Sequence, residues 1–212
     1  MGDNRTIDLA DGAIEYQWYP APPAADDRRT VLVLLHEGLG CVDLWRDFPD
    51  RLAARTGLPV LAYSRYGYGG SAPCALPRPI SYMHDEGLTV LPALLSALRI
   101  DDHILIGHSD GGSVTLINAG GAPAPGLRGI VTLAAHIFCE DVSVRSIAAA
   151  TEAFNAGKLR DALARYHGDN VDCAFRGWAE SWLNPVFLDW NIEDLLPRIR
   201  VPALIIQGES DA

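Results

Sequence analysis

The sequence predicts an α/β fold, a mostly parallel central sheet flanked by helices, and three observations lead there. Solid apolar runs rich in β-branched residues occur at TVLVLLH (30–36), PVLAYS (59–64), HILIGH (103–108) and GIVTLAA (129–135), the pattern of strands covered on both faces. Segments with helical periodicity separate them. The alternation strand, helix, strand is the one that joins parallel neighbours through crossover helices.

Each element can be justified in chain order. RTIDL and AIEYQWY alternate in polarity about Ala10-Asp11-Gly12, which predicts a β-hairpin with an Asp-Gly turn. PAPPAADDRR (20–29) is a polar, proline-rich connector. DLWRDFPDRLAARTG (43–57) is amphipathic and closes on a glycine of the kind that caps helix C-termini. SYMHDEGLTVLPALLSALR (81–99) predicts a helix kinked at Pro92, because proline lacks the N–H the helix needs. A further helix is expected from Asp110 to about Ala119.

VPALIIQG (201–208) reads as a last buried strand. The roughly sixty residues before it lack any buried-strand pattern, which is too long for an ordinary connection in one domain. A helical cap inserted at 139–200 accounts for them, with 1–138 as the core and 201–212 as the return to it. VRSIAAATEAFNAG and KLRDALARYHG carry helical periodicity there; AFRGWAESWL and NIEDLLPRIR do so more briefly.

Composition bounds the partners. A chain of 212 residues with 49% hydrophobic and 21% charged side chains has the make-up of one soluble globular domain. A net charge of −10 disfavours nucleic acid and anionic membranes and leaves small molecules as the expected partners. Cys41, Cys74, Cys139 and Cys173 are far apart with no CxxC, so neither a zinc site nor a disulfide framework is signalled, and a reducing cytoplasm is the expected compartment. There is no signal-peptide pattern and no apolar stretch of ~18 residues. Met1-Gly2 with Thr6 fits the loose N-myristoylation pattern, which arises so often by chance that no anchor is read from it. P-loop, dinucleotide, HExxH and EF-hand patterns are missing from the sequence, so no cofactor or metal is expected.

The chemistry is carried by GHSDGG (107–112), a G-x-S-x-G placed directly after a strand and directly before a helix. A nucleophile on such a sharp turn is held above the sheet edge, and flanking glycines keep β-carbons out of a crowded corner. Ser109 is the candidate nucleophile. The same turn sets the N–H of Asp110 at a helix N-terminus, where it can stabilise an oxyanion. Asp211, just past the carboxyl end of a strand where α/β folds build their sites, is the candidate acid, with Glu209 in the same loop as the alternative.

These features resemble the α/β-hydrolase superfamily, of the serine esterase and meta-cleavage-hydrolase type. LLHEGLG (34–40) is similar to the family's loop after its third strand, SRYGYGGS (64–71) to its D-x-x-G-x-G-x-S stretch, and VPALIIQGESD (201–211) to the strand and loop that present the triad acid. The resemblance implies attack by Ser109 on a carboxylic ester or related carbonyl, an acyl-enzyme, and an oxyanion hole of the N–H groups of Asp110 and Gly38. Glu37 stands where the family usually has glycine, which leaves Leu39 as the alternative donor.

The family's base is a histidine later than the acid, and the resemblance therefore leads to the expectation that the chain as given stops short of it, without the last strand and helix, and hydrolyses little. His36 and His103 are expected to be structural, and His108 to point away from Ser109. His84, His136 and His167 are expected in polar packing or pocket lining. His136, Trp178, Trp182 and Leu39 are candidate pocket residues. Tyr166, Phe175, Phe187 and Trp190 are expected to serve mainly in packing. The same elbow serves C–C hydrolases, thioesterases, acyltransferases and perhydrolases, and a non-catalytic ligand-binding homologue is the alternative from another class.

Overall fold

A computed structural model describes residues 4–19 and 30–209; the connector at 20–29 lies outside them. Seven strands, β1 (Arg5–Leu9), β2 (Gly12–Tyr19), β3 (Val31–Leu35), β4 (Val60–Tyr63), β5 (His103–His108), β6 (Leu127–Leu133) and β7 (Ala203–Ile206), make one sheet in the order β1-β2-β4-β3-β5-β6-β7. β2 pairs antiparallel with β1 and β4, and the remaining neighbours are parallel. The hairpin closes with Leu9 opposite Gly12, whose φ of 125° is open only to glycine at low cost.

The uninterrupted apolar runs reflect burial on both faces. All five residues of β3 and all four of β4 are buried, and alternate side chains go to opposite sides. Val31, Val33, Leu35, Leu61 and Tyr63 join the larger core with Leu105 and the helices α3 (Leu91–Ala97) and α4 (Asp110–Gly121). Leu32, Leu34, Val60 and Ala62 meet Ala53 of α1 (Phe48–Thr56) on the other face. α1 ends as its sequence predicts: Gly57 has φ 71° and returns its N–H to Ala53 O at 2.9 Å.

The kink expected at Pro92 takes the form of a change in helix pitch. α2 (Tyr82–Asp85) runs into one wide, π-type turn at Glu86–Val90 before α3 begins with Pro92 in its first turn. Proline offers no N–H to the carbonyl four residues back, so the preceding turn widens.

Between β6 and β7 the chain is helical, as α5 (Asp141–Asn155), α6 (Lys158–His167) and α7 (Val171–Trp182), followed by 3₁₀ turns at Pro185–Asp189 and Glu193–Arg198. The last of these replaces the helix expected from NIEDLLPRIR, since Pro197 falls inside it. The two ends of this segment are tied together: Cys139 N–H donates to Trp190 O at 3.1 Å and Ile192 N–H to Ile137 O at 2.8 Å.

The apolar run at 201–208 reads as a buried strand, and as an uncovered edge where a further strand is lacking; in β7 Leu204, Ile205 and Ile206 are 56%, 60% and 45% exposed, because among the described residues β7 pairs with β6 alone. A short apolar run looks the same at the edge of a sheet as at its centre.

Candidate active site

The turn between β5 and α4 places Ser109 at φ 52°, ψ −119°, a conformation that costs a non-glycine residue of order 1–3 kcal/mol and persists only when its surroundings enforce it. Here the Ser109 N–H donates to Leu133 O at 2.8 Å and its carbonyl accepts from the Ser113 N–H at 3.0 Å. The neighbouring glycines are explained by space. A β-carbon on Gly107 would lie 2.5 Å from Thr115 Oγ1 and against the Gly111 carbonyl; one on Gly111 would lie 2.7 Å from His36 O and against Leu35 O; one on Gly112 would lie 2.7 Å from Ala135 Cβ. The corner is therefore packed directly on the end of β3. The bond from Ser113 to Ser109 leaves the N–H groups of Asp110, Gly111 and Gly112 as the positive end of α4.

A buried polar chain supports this corner. The Asp110 carboxylate, 1% exposed, accepts from Tyr82 Oη–H at 2.7 Å, and Tyr82 Oη accepts from Trp182 Nε1–H at 3.0 Å. Arg65 Nη1 lies 3.8 Å from Asp110 Oδ2, and Arg65 Nη2 donates to Glu37 O at 2.8 Å. The loop at 36–37, the elbow and α7 are thus joined through four buried side chains, Arg65, Asp110, Tyr82 and Trp182. Burial pushes the Tyr82 phenol well up, and the Asp110 charge adds to this. Burial opposes the Arg65 charge, but Tyr68 and the carboxylates of Asp110 and Glu86 outweigh it and hold the guanidinium charged.

A cavity of about 350 Å³ opens over Ser109 and Asp110. Its walls are Glu37 and His108 on one side, Ala134–His136 on another, Ser143, Ser146 and Ile147 of α5, Trp178 and Trp182 of α7, and Gln207 after β7. The structure thus brings Ser109, Asp110, His136, Trp178 and Trp182 together. Gly38 sits beside them under the Trp178 indole, where a β-carbon would come 2.6 Å from Trp178 Cδ1. Leu39 is drawn toward α6, its carbonyl 2.9 Å from His167 Nε2. Asp211 lies outside the described residues. Glu209 is exposed, but Gln207 carries the loop that leads to it onto the cavity wall.

The histidines separate by role. His36 is fully buried, accepts the Arg65 N–H on Nε2 at 3.1 Å and has Nδ1 2.7 Å from Glu37 O; burial, then the Arg65 charge, holds its pKa well below 6.5. His103, at the start of β5, is buried at the opposite end of its strand from Ser109. His84 is on α2. His167 accepts the Gly69 N–H on Nδ1 at 3.0 Å and donates from Nε2 to Leu39 O; burial lowers its pKa and outweighs the Leu39 carbonyl, which favours the charged ring. His108 and His136 face the cavity, 3.8 Å from Glu37 Oε2 and Glu140 Oε2 respectively.

Sequence reasoning missed most of this support. Arg65 lies in a stretch the sequence singles out, yet nothing in that stretch says its guanidinium runs beneath the elbow, and Tyr82 gave no signal at all. Glu37 lines the cavity and also bonds to its own N–H. Burial alone would raise its pKa, but His108 and that N–H outweigh burial and lower it. Of the aromatics, Phe175 stacks on Phe154 with centroids 3.9 Å apart and Phe187 on Trp190 at 5.3 Å; Trp178 and Trp182 reach the cavity. Among the described residues no group of three or more His, Cys, Asp or Glu side chains is placed to hold a metal ion, and no helix is long and apolar enough to cross a membrane.

A strained serine between a parallel strand and a helix, over a cavity at the carboxyl end of the sheet, defines the class, and comparison with known proteins gives the family. Residues 32–212 match the model of the alpha/beta hydrolase family, and the chain belongs to it. It is 28% identical over 164 residues to the human protein named serine hydrolase BPHL, covering 72% of this chain and 53% of that protein. It is 34% identical over 95 residues to human (lyso)-N-acylphosphatidylethanolamine lipase, covering 45% of this chain and 27% of that one. The chain spans about half the length of the first of these relatives and less of the second. Among solved structures, the proline iminopeptidase of Mycobacterium smegmatis superposes with a TM-score of 0.66 at 21% identity, covering 99% of this chain and 82% of that one. A hydrolase of Pseudomonas aeruginosa gives 0.69 at 21%, covering 98% and 80%.

Proposed function

We propose that the full-length protein is a serine hydrolase that cleaves a small carboxylic ester or related carbonyl compound through an acyl-enzyme, with Ser109 as nucleophile. The observation that carries this is the backbone of Ser109 itself, held at positive φ by two hydrogen bonds with its glycine neighbours packed against β3. Strain of that kind at the mouth of a cavity is what presenting a nucleophile requires. The Oγ attacks the carbonyl carbon, the N–H groups of Asp110 and Gly38 hold the oxygen as it becomes negative, the alcohol leaves with a proton, and water then releases the acid. Asp211 is the acid that orients the general base; Gln207, which precedes it in the chain, lines the cavity.

The resemblance puts that base, a histidine, after the acid in chain order. His108 and His136 are not given this part, since each is engaged with a glutamate and His108 precedes Ser109 on the elbow. Residues 139–200 act as a cap, whose Trp178 and Trp182 offer an apolar wall to the acyl or aryl group of the substrate. The acidic charge and four scattered cysteines favour a cytoplasmic setting and a small-molecule partner.

The test is turnover of a panel of p-nitrophenyl esters by the full-length protein. Ser109→Ala is expected to lower kcat by ~10⁴–10⁶-fold with folding unchanged. Turnover that survives this substitution would remove Ser109 from the mechanism.

A further inference from the structure

Away from the cavity, two cysteines 99 positions apart in sequence come into contact. Cys74 lies in the loop after β4, and Cys173 in the first turn of α7. Their sulfurs are 2.6 Å apart, the Cys74 N–H donates to Cys173 Sγ at 3.2 Å, and Cys173 Sγ–H faces Cys74 O at 3.3 Å. Both are free thiols, and neither residue is fully buried. Arg78 Nη2 donates to Cys74 Sγ at 2.9 Å, placing a positive charge beside the sulfur that would carry negative charge in the attacking form. Gly67 leaves the room for the pair: a β-carbon there would lie 2.7 Å from each sulfur.

We propose that Cys74 and Cys173 form a reversible oxidation site, closing a disulfide between the loop after β4 and α7 when a peroxide is present. The thiolate of Cys74 attacks one peroxide oxygen, the O–O bond breaks, and hydroxide leaves to become water; Cys74 is now a sulfenic acid. Cys173 then attacks that sulfur, the S–O bond breaks and a second water leaves. The net change is two thiols and one hydrogen peroxide to one disulfide and two waters. From a 2.6 Å contact, the ~2.05 Å bond needs a movement of roughly half an ångström. The bond would fix α7, which carries Trp178 and Trp182, against the core. The site stands on geometry alone and does not depend on the proposed hydrolysis.

The experiment treats the full-length protein with hydrogen peroxide and maps its thiols by intact mass and by peptides digested without reductant. The expected product has lost two hydrogens, contains the peptides of Cys74 and Cys173 joined, and reverts with dithiothreitol. Closing a ~100-residue loop should raise its melting temperature by roughly 5–15 °C. Cys74→Ser and Cys173→Ser should each abolish the joined peptide and the shift, while Cys41→Ser and Cys139→Ser should keep both. A joined peptide involving other cysteines would overturn the proposal, as would oxygen added to Cys74 or Cys173 without a link, or thiols left intact under excess peroxide. The wild-type peptide map decides this even if a variant fails to fold.

Discussion

Gly111→Ala tests how the elbow is built. The methyl would sit 2.7 Å from His36 O and against Leu35 O, where ordinary contact begins near 3.4 Å. The start of α4 and the end of β3 must therefore part by at least 0.7 Å, the difference of those two distances. Overpacking of this kind costs ~1–3 kcal/mol and sometimes more. Taking the upper end, ~3 kcal/mol, for a contact made with backbone atoms, less the at most ~1 kcal/mol by which alanine is the better helix former, the net loss should be about 2 kcal/mol. For a chain of this size that lowers the melting temperature by about 4–8 °C. Gly168→Ala is the comparison: its φ is 52° and ψ −125°, with nothing near a β-carbon, so its cost, of order 1–3 kcal/mol, is backbone strain with no packing share. The assay is thermal unfolding of both variants with ester turnover alongside. The same displacement moves the Asp110 N–H, so Gly111→Ala should also lose up to ~10²-fold in turnover. Unchanged or raised stability in Gly111→Ala would refute the close approach.

Three further outcomes follow from the same contacts. Tyr82→Phe leaves the buried Asp110 carboxylate without its 2.7 Å donor and Trp182 Nε1 without its acceptor, so urea unfolding should show a loss of about 1–3 kcal/mol. His36 and His167 both have folded pKa values below 6.5; below that pH the unfolded chain takes up protons the folded chain refuses, so stability should fall as pH drops from about 7 to about 5, and less steeply in His167→Gln. Gly38→Ala pushes a methyl into the Trp178 indole, which must shift, so the proposed hydrolysis should weaken by roughly tenfold in kcat/KM and stability should fall by about 1–3 kcal/mol.

The strands were legible because residues covered on both faces need no alternation, as in VLVLL and HILIGH. The elbow was legible because its glycines are demanded by backbone contacts within a few residues of Ser109 or at the adjoining strand end. The polar chain beneath it was not: Trp182, Tyr82, Asp110 and Arg65 come from four separate elements, and no local pattern marks a long-range hydrogen bond. Cys74 and Cys173 show the same limit, since spacing says nothing of a contact made by the packing of α7 on a core loop.

The central claim is that Ser109 is an activated nucleophile, and covalent labelling tests it most directly. The full-length protein is incubated with a fluorophosphonate, and intact mass and peptide mapping locate the adduct. One equivalent on Ser109, absent from Ser109→Ala and formed far faster than on free serine, is the predicted result. A folded protein that remains unlabelled, or carries the adduct on another residue, would contradict it.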